Sequence, residues 1–292
     1  MSFDEKYSKI KNTVKELSII ERELASCVNV KEPLNSHLKS FLNSPSKRIR
    51  SVLPILFLKA NGEQISDKQL ELFAAVELVH NASLIHDDII DESNLRRGKE
   101  TTKAKFGNKL GVISGDYLLS IAMDKIANLE STQILKSFIH TIKQMCIGEI
   151  NQNFDRFKIG TIESYIEKSK NKTAFLFKTA FVCSILLAQK EYDLEKISEL
   201  GLNIGIAFQI RDDLLNIIKT DNSKPSGSDI SEGIYNAPII FSGNVEDYTS
   251  GIEKTRDLLN NYIDKASFSI KTLPENEFKK NIINFLEVLR YE

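Results

Sequence analysis

Four carboxylates crowd into the stretch ASLIHDDIIDESNLRRG (82–98), which ends in two arginines and a glycine. They belong to Asp87, Asp88, Asp91 and Glu92. Helical residues four apart share a face, so Asp87 and Asp91 would lie side by side with Asp88 at the edge. Carboxylates this close repel one another unless a cation binds between them. The stretch predicts a Mg²⁺ site, because this ion takes one or two carboxylates and completes its shell with water and phosphate oxygens.

A second acidic pair repeats the pattern further along the chain. QIRDDLLN (209–216) resembles LIHDDIID (84–91), and it offers Asp212 and Asp213, with the weaker ligand Asn216 in the third position. A lone acidic cluster can be a solvated helix face. Here the flanking aliphatic residues indicate a largely buried helix, where unpaired carboxylates are costly. The duplication favours two metal-binding helices that face each other.

Basic residues near these clusters could bind phosphate groups. Arginine matches phosphate oxygens in a bidentate way, and Arg96 and Arg97 follow the first cluster directly. The sequence has no GxxxxGK[ST] phosphate loop, kinase signature or GxSxG elbow, and no convincing Cys-His pair. We therefore expect a diphosphate substrate whose leaving group is pulled away by metal ions, without a covalent enzyme intermediate. Other candidates are Lys47, Arg48 and Arg50 in SKRIR, His80, and Lys172 and Thr173 in KNKTAFLF.

The elements that position these residues are predicted to be helices. Apolar residues recur at intervals of three and four, while alternation over the length of a strand is scarce. On the first acidic helix the apolar stripe is Leu72, Ala75, Val76, Val79, Ala82, Ile85 and Ile89. Breaks are expected near 43–48, 60–66, 92–107, 154–161 and 219–233, the last as a mobile loop. The predicted fold class is all-α, with one domain over 1–292.

Composition limits the classes of function. The 292 residues carry a net charge of −1, which gives no basic field for nucleic acid. Three cysteines without CxxC spacing suggest neither disulfides nor zinc, and with no signal peptide they indicate the cytoplasm. The longest apolar run, 174–188, contains Lys178 and is too short to span a bilayer. It predicts a buried core helix.

HDDIIDESNLRRG and FQIRDDLLN resemble the two aspartate-rich motifs of the trans-prenyl diphosphate synthases. The resemblance covers nearly the whole chain in order, through SKRIR, ELVHNASLIHDD, SGDYLL, GEINQ, KTAFLF and KPSGSDISEG. It implies an all-α bundle around a central cavity, and a homodimer. It also implies a prenyltransferase that joins an allylic diphosphate to isopentenyl diphosphate.

The family resemblance assigns a role to each matching residue. Three Mg²⁺ ions held by Asp87, Asp91 and Asp212 would bind the allylic diphosphate, with Asp88 and Asp213 in support. Arg96, Lys172 and Lys219 would hold the same group. Lys47, Arg50, His80 and Arg97 would bind the diphosphate of isopentenyl diphosphate, and Thr173 and Gln209 would place dipoles near the allylic cation.

Three positions depart from the family pattern. Pro45-Ser46 replaces Gly-Gly, Asn216 replaces an aspartate, and Ile234 replaces a lysine. These changes affect a loop, one metal ligand and one cation, and they leave the main set of residues in place.

Product length should depend on the side chains below the first aspartates. Ser83 and Ala82, four and five residues before Asp87, are small, where short-chain members of the family carry an aromatic stop. Val79, one turn further back, is also modest in size. One helical turn rises about 5.4 Å, which is close to the length of one isoprene unit. Because these successive positions carry no bulky side chain, we expect a long product of roughly five to eight units. Such a chain would suit a quinone side chain.

Three other functions are compatible with parts of the sequence. One is a short-chain farnesyl or geranylgeranyl diphosphate synthase. Another is a His-Asp metal phosphohydrolase, suggested by His80 and HDD, but this class needs more histidines than His37 and His140 supply. The last is a non-catalytic subunit of a hetero-oligomeric synthase, against which the intact first motif argues.

Overall fold

The protein, seen here in a computed structural model, is described over residues 3–218 and 228–290. In these ranges the helices pack around one hydrophobic core, which confirms the all-α prediction. The helices are α1 (Phe3–Lys11), α2 (Leu17–Ser26), α3 (Leu34–Leu42), α4 (Ile49–Ala60), α5 (Asp67–Ile90), α6 (Thr102–Asn128), α7 (Thr132–Phe154), α8 (Ile162–Ser169), α9 (Phe175–Leu186), α10 (Leu194–Ile218), α11 (Ser228–Ser231), α12 (Ala237–Ser242), α13 (Thr249–Ser269) and α14 (Glu277–Arg290).

The first acidic stretch ends a long helix that begins at a strong cap. The Ser66 hydroxyl accepts from the Gln69 backbone N–H, and the Gln69 side chain accepts from the Ser66 N–H, which fixes the start of α5 after the predicted break. Most of the predicted stripe is buried, namely Leu72, Ala75, Val76, Val79, Ala82 and Ile85, while Ile89 is partly buried. The helix packs along α6, and this packing holds its C-terminal end in place.

A π-helical turn, Lys170–Ala174, lies between α8 and α9. Helix α7 contacts it, and so does α10. A Cβ at Gly205 would lie 2.4 Å from the Ala174 Cα, and one at Gly148 would lie 2.9 Å from the Lys172 Cγ. These glycines let both helices come close to the turn. KNKTAFLF therefore includes a π turn inside a longer helical run, a feature often found at functional sites.

Helix α9 corresponds to the apolar run, and it is buried as predicted. The residues buried in it run from Phe175 to Ile185, on all sides of the helix. The connection between α5 and α6 contains the only strands of the described ranges, β1 (Leu95–Arg96) and β2 (Lys99–Glu100). No helix in the described part of the chain combines the length and the apolar character needed to cross a membrane.

Candidate active site

The first acidic segment lies at the C-terminal end of α5. Asp87 and Asp88 belong to the last helical turn, and Asp91 follows it, with its backbone N–H donating to the Asp87 carbonyl at 2.8 Å. The predicted spacing thus holds across the helix end. Burial raises the pKa of Asp87 to about 7, with Lys172 opposing the shift and Glu149 and Asp91 adding to it. The pKa of Asp91 is also raised, mainly by burial.

Lys172 projects from the π turn towards these carboxylates. Its Nζ lies 2.5 Å from Oε2 of Glu149 on α7, and Gly148 makes room for the Lys172 side chain. Glu149 is a functional candidate that sequence reasoning missed, although it lies in the motif GEINQ. In the sequence, Glu149 is marked only as a carboxylate that directly follows a glycine. This pattern does not indicate a functional site until α7 is seen to pack beside the π turn.

Asp88 forms a buried ion pair. Its Oδ1 accepts from Nε of Arg96 at 2.7 Å, and its side chain is only 2% exposed. The other carboxylate oxygen, Oδ2, is buried without a hydrogen-bond partner among the described residues. The pair uses Nε of Arg96, so the terminal nitrogens of the guanidinium are left for another ligand.

The two arginines sit on a tight hairpin, where the sequence predicted a loop. Leu95 pairs with Glu100 and Arg96 with Lys99, so Arg97 and Gly98 form the two-residue turn. Both turn residues have positive φ, 53° and 75°, as a type I′ turn requires. Glycine adopts this conformation without strain, which explains why one follows the arginines.

The second acidic segment lies on α10. Asp213 is buried, and its two carboxylate oxygens accept from Tyr165 Oη at 2.6 Å and Gln209 Nε2 at 2.9 Å. Gln209 Oε1 accepts from Thr173 Oγ1 at 2.6 Å. Asp212 lies at the rim of a cavity, and its side chain is 49% exposed. Its pKa is raised to about 6 because the surrounding protein removes hydration, while nearby cations oppose the shift.

That cavity is polar, has a volume of about 390 Å³, and brings most of the predicted residues together. Arg50 Nη1 lies 3.4 Å from His80 Nε2, and the guanidinium carbon of Arg50 lies 4.8 Å from the Phe177 ring centre. Burial, and then the charge of Arg50, lowers the pKa of His80 well below its usual range, so this imidazole is neutral. The lining includes Lys47, Arg50, His80, Arg97, Thr173, Gln209 and Asp212, and Pro45 and Ser46 of the altered loop.

Arg48 is a buried cation in the wall of this cavity. It is 4% exposed, it donates to the Leu42 carbonyl at 2.6 Å, and it pairs with Glu77 at 3.2 Å. Ser51 Oγ donates to the other Glu77 oxygen at 2.7 Å. The sequence placed Arg48 in one basic cluster with its neighbours. It could not show that this cation is paired with a buried carboxylate almost one turn before His80.

A second cavity, of about 280 Å³, lies beside Asp87 and is mainly apolar. We call it the channel. Val79, Ala82 and Ser83 from α5, the residues that the sequence links to product length, line it. Asp87, Glu149 and Lys172 also border it, so its polar end coincides with the first acidic segment. Sequence reasoning did not identify the remaining wall, which includes Leu119 on α6 and Ile142, Met145 and Cys146 on α7.

Two predicted features cannot be placed within this geometry. Lys219 and most of the 219–233 loop lie outside the described residues. Within the described ranges, no three His, Cys, Asp or Glu side chains are grouped closely enough to hold a metal ion by themselves. A Mg²⁺ ion here would therefore need oxygens from a bound substrate, as is usual for this ion.

The structure combines an all-α bundle, two acidic helix segments, a cation-lined cavity and an apolar channel, an arrangement with the concave, polar-and-apolar character of a small-molecule site. The Polyprenyl synthetase family model matches residues 31–273. A prenyl transferase of Cyanidium caldarium is 33% identical, over 94% of this chain and 95% of its own length. Heptaprenyl diphosphate synthase component 2 of Geobacillus stearothermophilus is 30% identical, over 90% and 91%. The solved heptaprenyl diphosphate synthase of Staphylococcus aureus superposes with a TM-score of 0.89 at 25% identity, over 97% and 98%.

The chain therefore belongs to the polyprenyl synthetase family, and it is a prenyltransferase. This confirms the family, the enzyme class and the fold that the aspartate-rich motifs predicted.

Proposed function

We propose that this prenyltransferase condenses isopentenyl diphosphate repeatedly with an allylic diphosphate to give a long all-trans polyprenyl diphosphate. The observation that carries the proposal is the junction at Asp87. There the acidic segment and Lys172 meet an apolar channel lined by Ala82 and Ser83. A diphosphate bound at the junction would direct its hydrocarbon tail into the channel.

The allylic diphosphate would bind at the first acidic segment. Lys172 and the terminal nitrogens of Arg96 supply positive charge, and Asp88 holds Arg96 in orientation through its ion pair. Lys219 stays a prediction for the same group. A neutral His80 serves as a hydrogen-bonding group in the neighbouring cavity, because its imidazole carries no charge. The diphosphate of isopentenyl diphosphate would occupy that cavity, against Lys47, Arg50, His80 and Arg97.

The aspartates of the two acidic segments also fit Mg²⁺, on which the family in general depends. Asp87, Asp91 and Asp212 are oxygen donors whose pKa values are raised, and a bound cation would favour their ionised forms. When bound, the ions neutralise the diphosphate and make it a better leaving group. Binding of three ions per site is part of the proposal.

The chain's own groups would then guide the reaction. Lys172 and Arg96 stabilise the negative charge that grows on the departing diphosphate. Thr173 and Gln209 place oxygen dipoles near the allylic cation. The cations of the neighbouring cavity bind the diphosphate of isopentenyl diphosphate and so place its double bond next to that cation. The new carbon–carbon bond leaves a cation that loses a proton, with the departed diphosphate as the base.

Product length provides the sharpest test. Ser83→Phe should fill the channel one turn below Asp87, and the product should stop at about three or four isoprene units, because a packed interior relieves such overlap poorly. Early condensation rates should be kept, since the acidic segment is untouched. The measurement is chromatography of products from labelled isopentenyl diphosphate with each allylic primer. Ser18→Phe, on the exposed face of α2, is the matched control. Unchanged product length in Ser83→Phe would mean that the tail leaves by another route.

The same assay separates a second candidate, a subunit of a hetero-oligomeric synthase. The word "component" in the name of the Geobacillus relative favours testing it. If the purified chain makes no product with any primer, and product appears only with a partner protein, the subunit assignment replaces the proposal. A short-chain synthase would instead give products of farnesyl or geranylgeranyl length from the unmodified chain.

A homodimer and a cytoplasmic location also stay predictions. Exposed large apolar side chains on α6 and α7, including Val112, Ile113, Ile139 and Ile150, offer a surface of suitable chemistry for a second copy. Sedimentation of the purified protein at several concentrations would decide the oligomeric state. Fractionation of the source cells would decide the location.

A further inference from the structure

A chain of hydrogen bonds connects the polar cavity to a tyrosine on α8. Tyr165 is 2% exposed, and it lines a different hollow, together with Ser164 and Lys168. Its hydroxyl donates to Asp213 Oδ2 at 2.6 Å, and Asp213 Oδ1 accepts from Gln209 Nε2 at 2.9 Å. Gln209 Oε1 accepts in turn from Thr173 Oγ1 at 2.6 Å. Gln209 and Thr173, at the other end of this series of hydrogen bonds, line the polar cavity.

The chemistry of the groups fixes the direction of these bonds. A carboxylate accepts and cannot donate, so the NH₂ group of Gln209 must face Asp213. The amide oxygen of Gln209 must then face Thr173, whose only hydroxyl proton is used in donating to it. The lone pairs of the Thr173 oxygen are therefore available to the cavity. This order follows from the donor and acceptor inventory and needs no observed hydrogen.

The direction of the Thr173–Gln209 hydrogen bond decides which end of the Thr173 hydroxyl dipole faces the cavity. With its proton engaged, the Thr173 hydroxyl presents the negative end of its dipole to a bound substrate. If the Gln209 amide turned over, its NH₂ group would face Thr173, and the hydroxyl proton would be free to point at the developing cation. That orientation would destabilise the state through which the reaction must pass.

We propose that Tyr165 is a positioning residue that acts through Asp213 and Gln209 to hold the Thr173 hydroxyl with its oxygen facing the allylic cation. Tyr165 donates its proton to the carboxylate that orients the amide. Burial raises the pKa of Tyr165 well above its usual value, which keeps this hydroxyl protonated. The inference rests on the proposed function, because it concerns the cation formed in that reaction.

The test is Tyr165→Phe, measured as the rate of the first condensation in a single turnover. We expect a loss of roughly tenfold, the size associated with one hydrogen bond to a charged group, with little change in KM for either substrate. Tyr192→Phe is the matched control, since it removes another tyrosine–carboxylate bond, from Tyr192 Oη to Glu63 Oε1 at 3.2 Å, and neither residue lines the polar cavity. The control should keep the wild-type rate.

Two further measurements distinguish a positioning role of Tyr165 from a purely structural one. A fluorinated allylic diphosphate forms a less stable cation, so the rate ratio between the plain and fluorinated substrates should rise in Tyr165→Phe and stay unchanged in Tyr192→Phe. In the double variant with Thr173→Val, loss of Tyr165 should cause no additional decrease, because it acts through that hydroxyl. If Tyr165→Phe does not fold, Asp213→Asn should show the same change in ratio.

The outcomes distinguish this inference from the proposed function. If the unmodified chain shows no condensation, the proposed function fails. If it condenses, and Tyr165→Phe matches Tyr192→Phe in rate and in the fluorine ratio, the positioning role is wrong while the function stands. An additive loss in the double variant would likewise overturn the route through Thr173.

Discussion

In both acidic segments the first aspartate borders a cavity, while the second is buried and hydrogen-bonded within the protein. Asp87 lies at the channel and Asp212 at the polar cavity. Asp88 pairs with Arg96, a charged partner from the hairpin that follows its own helix. The bonds that Asp213 accepts from described residues include two from uncharged donors, one on α8 and one on α10. The repeated Asp-Asp therefore has two placements, in which the first aspartate borders a cavity and the second is held within the scaffold.

The charges around the two cavity-facing aspartates differ more than the sequence pattern suggests. Glu149 and Asp91 raise the pKa of Asp87, while Lys172 is the largest opposing influence. Among the described residues, the charged neighbours of Asp212 include the cations Arg211, Lys47 and Arg50, which lower its pKa. The first segment thus combines carboxylates with cations, whereas cations prevail around Asp212 in the described part of the chain. We therefore expect metal binding to depend on the first segment more than on the second.

The largest effect should separate the two segments directly. Asp87→Ala should reduce turnover by roughly a thousandfold or more, because a metal ion typically supplies several kcal/mol of transition-state stabilisation. Asp212→Ala should lose less, since the nearby cations remain to hold the substrate. Steady-state rates with saturating Mg²⁺ provide the comparison, and Asp124→Ala on the exposed face of α6 is the control. Equal losses at the two sites would show that the charge difference has no functional consequence.

Much of this site could be predicted from the sequence, and the rest depended on packing. The spacing of Asp87 and Asp91, the small Ser83 and the helical stripe of α5 are local patterns of one helix. Glu149 became visible only when α7 was placed against the π turn. The ion pair of Asp88 required the hairpin that turns at Arg97. Periodicity describes which face of a helix is buried, but it does not say which neighbour that face meets.

The second prediction distinguishes the two diphosphate positions. Lys172→Ala should weaken binding of the allylic substrate, and Arg97→Ala should weaken binding of isopentenyl diphosphate. Each loss should be roughly ten- to a hundredfold, the cost of one charge-assisted contact of about 1.5–3 kcal/mol. Separate titrations of each substrate measure the split. The assignment would be wrong if both variants affected the two substrates equally.

The substitution Asn216→Asp would make the second acidic segment more like the first. Asn216 occupies the place in the second segment that Asp91 has in the first, and it is partly buried. Asn216→Asp adds a carboxylate one helical turn from Asp212, so the Mg²⁺ concentration for half-maximal activity should fall by a few-fold. Asn128→Asp, at the exposed end of α6, controls for the added charge. An unchanged Mg²⁺ requirement would show that this position does not contribute to metal binding.

The smallest effect concerns stability without metal. The folded-state pKa of Asp87 is raised to about 7, above its unfolded value, so the protonated form favours folding. Its contribution is fully present below about pH 4, and it is lost as the pH rises through about 7. The lowered pKa of His80 acts in the opposite sense, since its contribution is present above the unfolded value and lost as the pH falls.

The difference between Asp87→Asn and the unmodified protein isolates the carboxylate from His80. In excess chelator, the Tm advantage of Asp87→Asn should grow by a few degrees from pH 5 to pH 8, because the amide never ionises. Mg²⁺ added together with inorganic diphosphate should reverse that advantage at pH 8, since only the carboxylate binds the cation. Asp124→Asn, exposed on α6, should show neither trend. A Tm difference that is flat across this range would mean that the Asp87 carboxylate is well hydrated, and that the crowding of charge at the first segment is relieved without a metal ion.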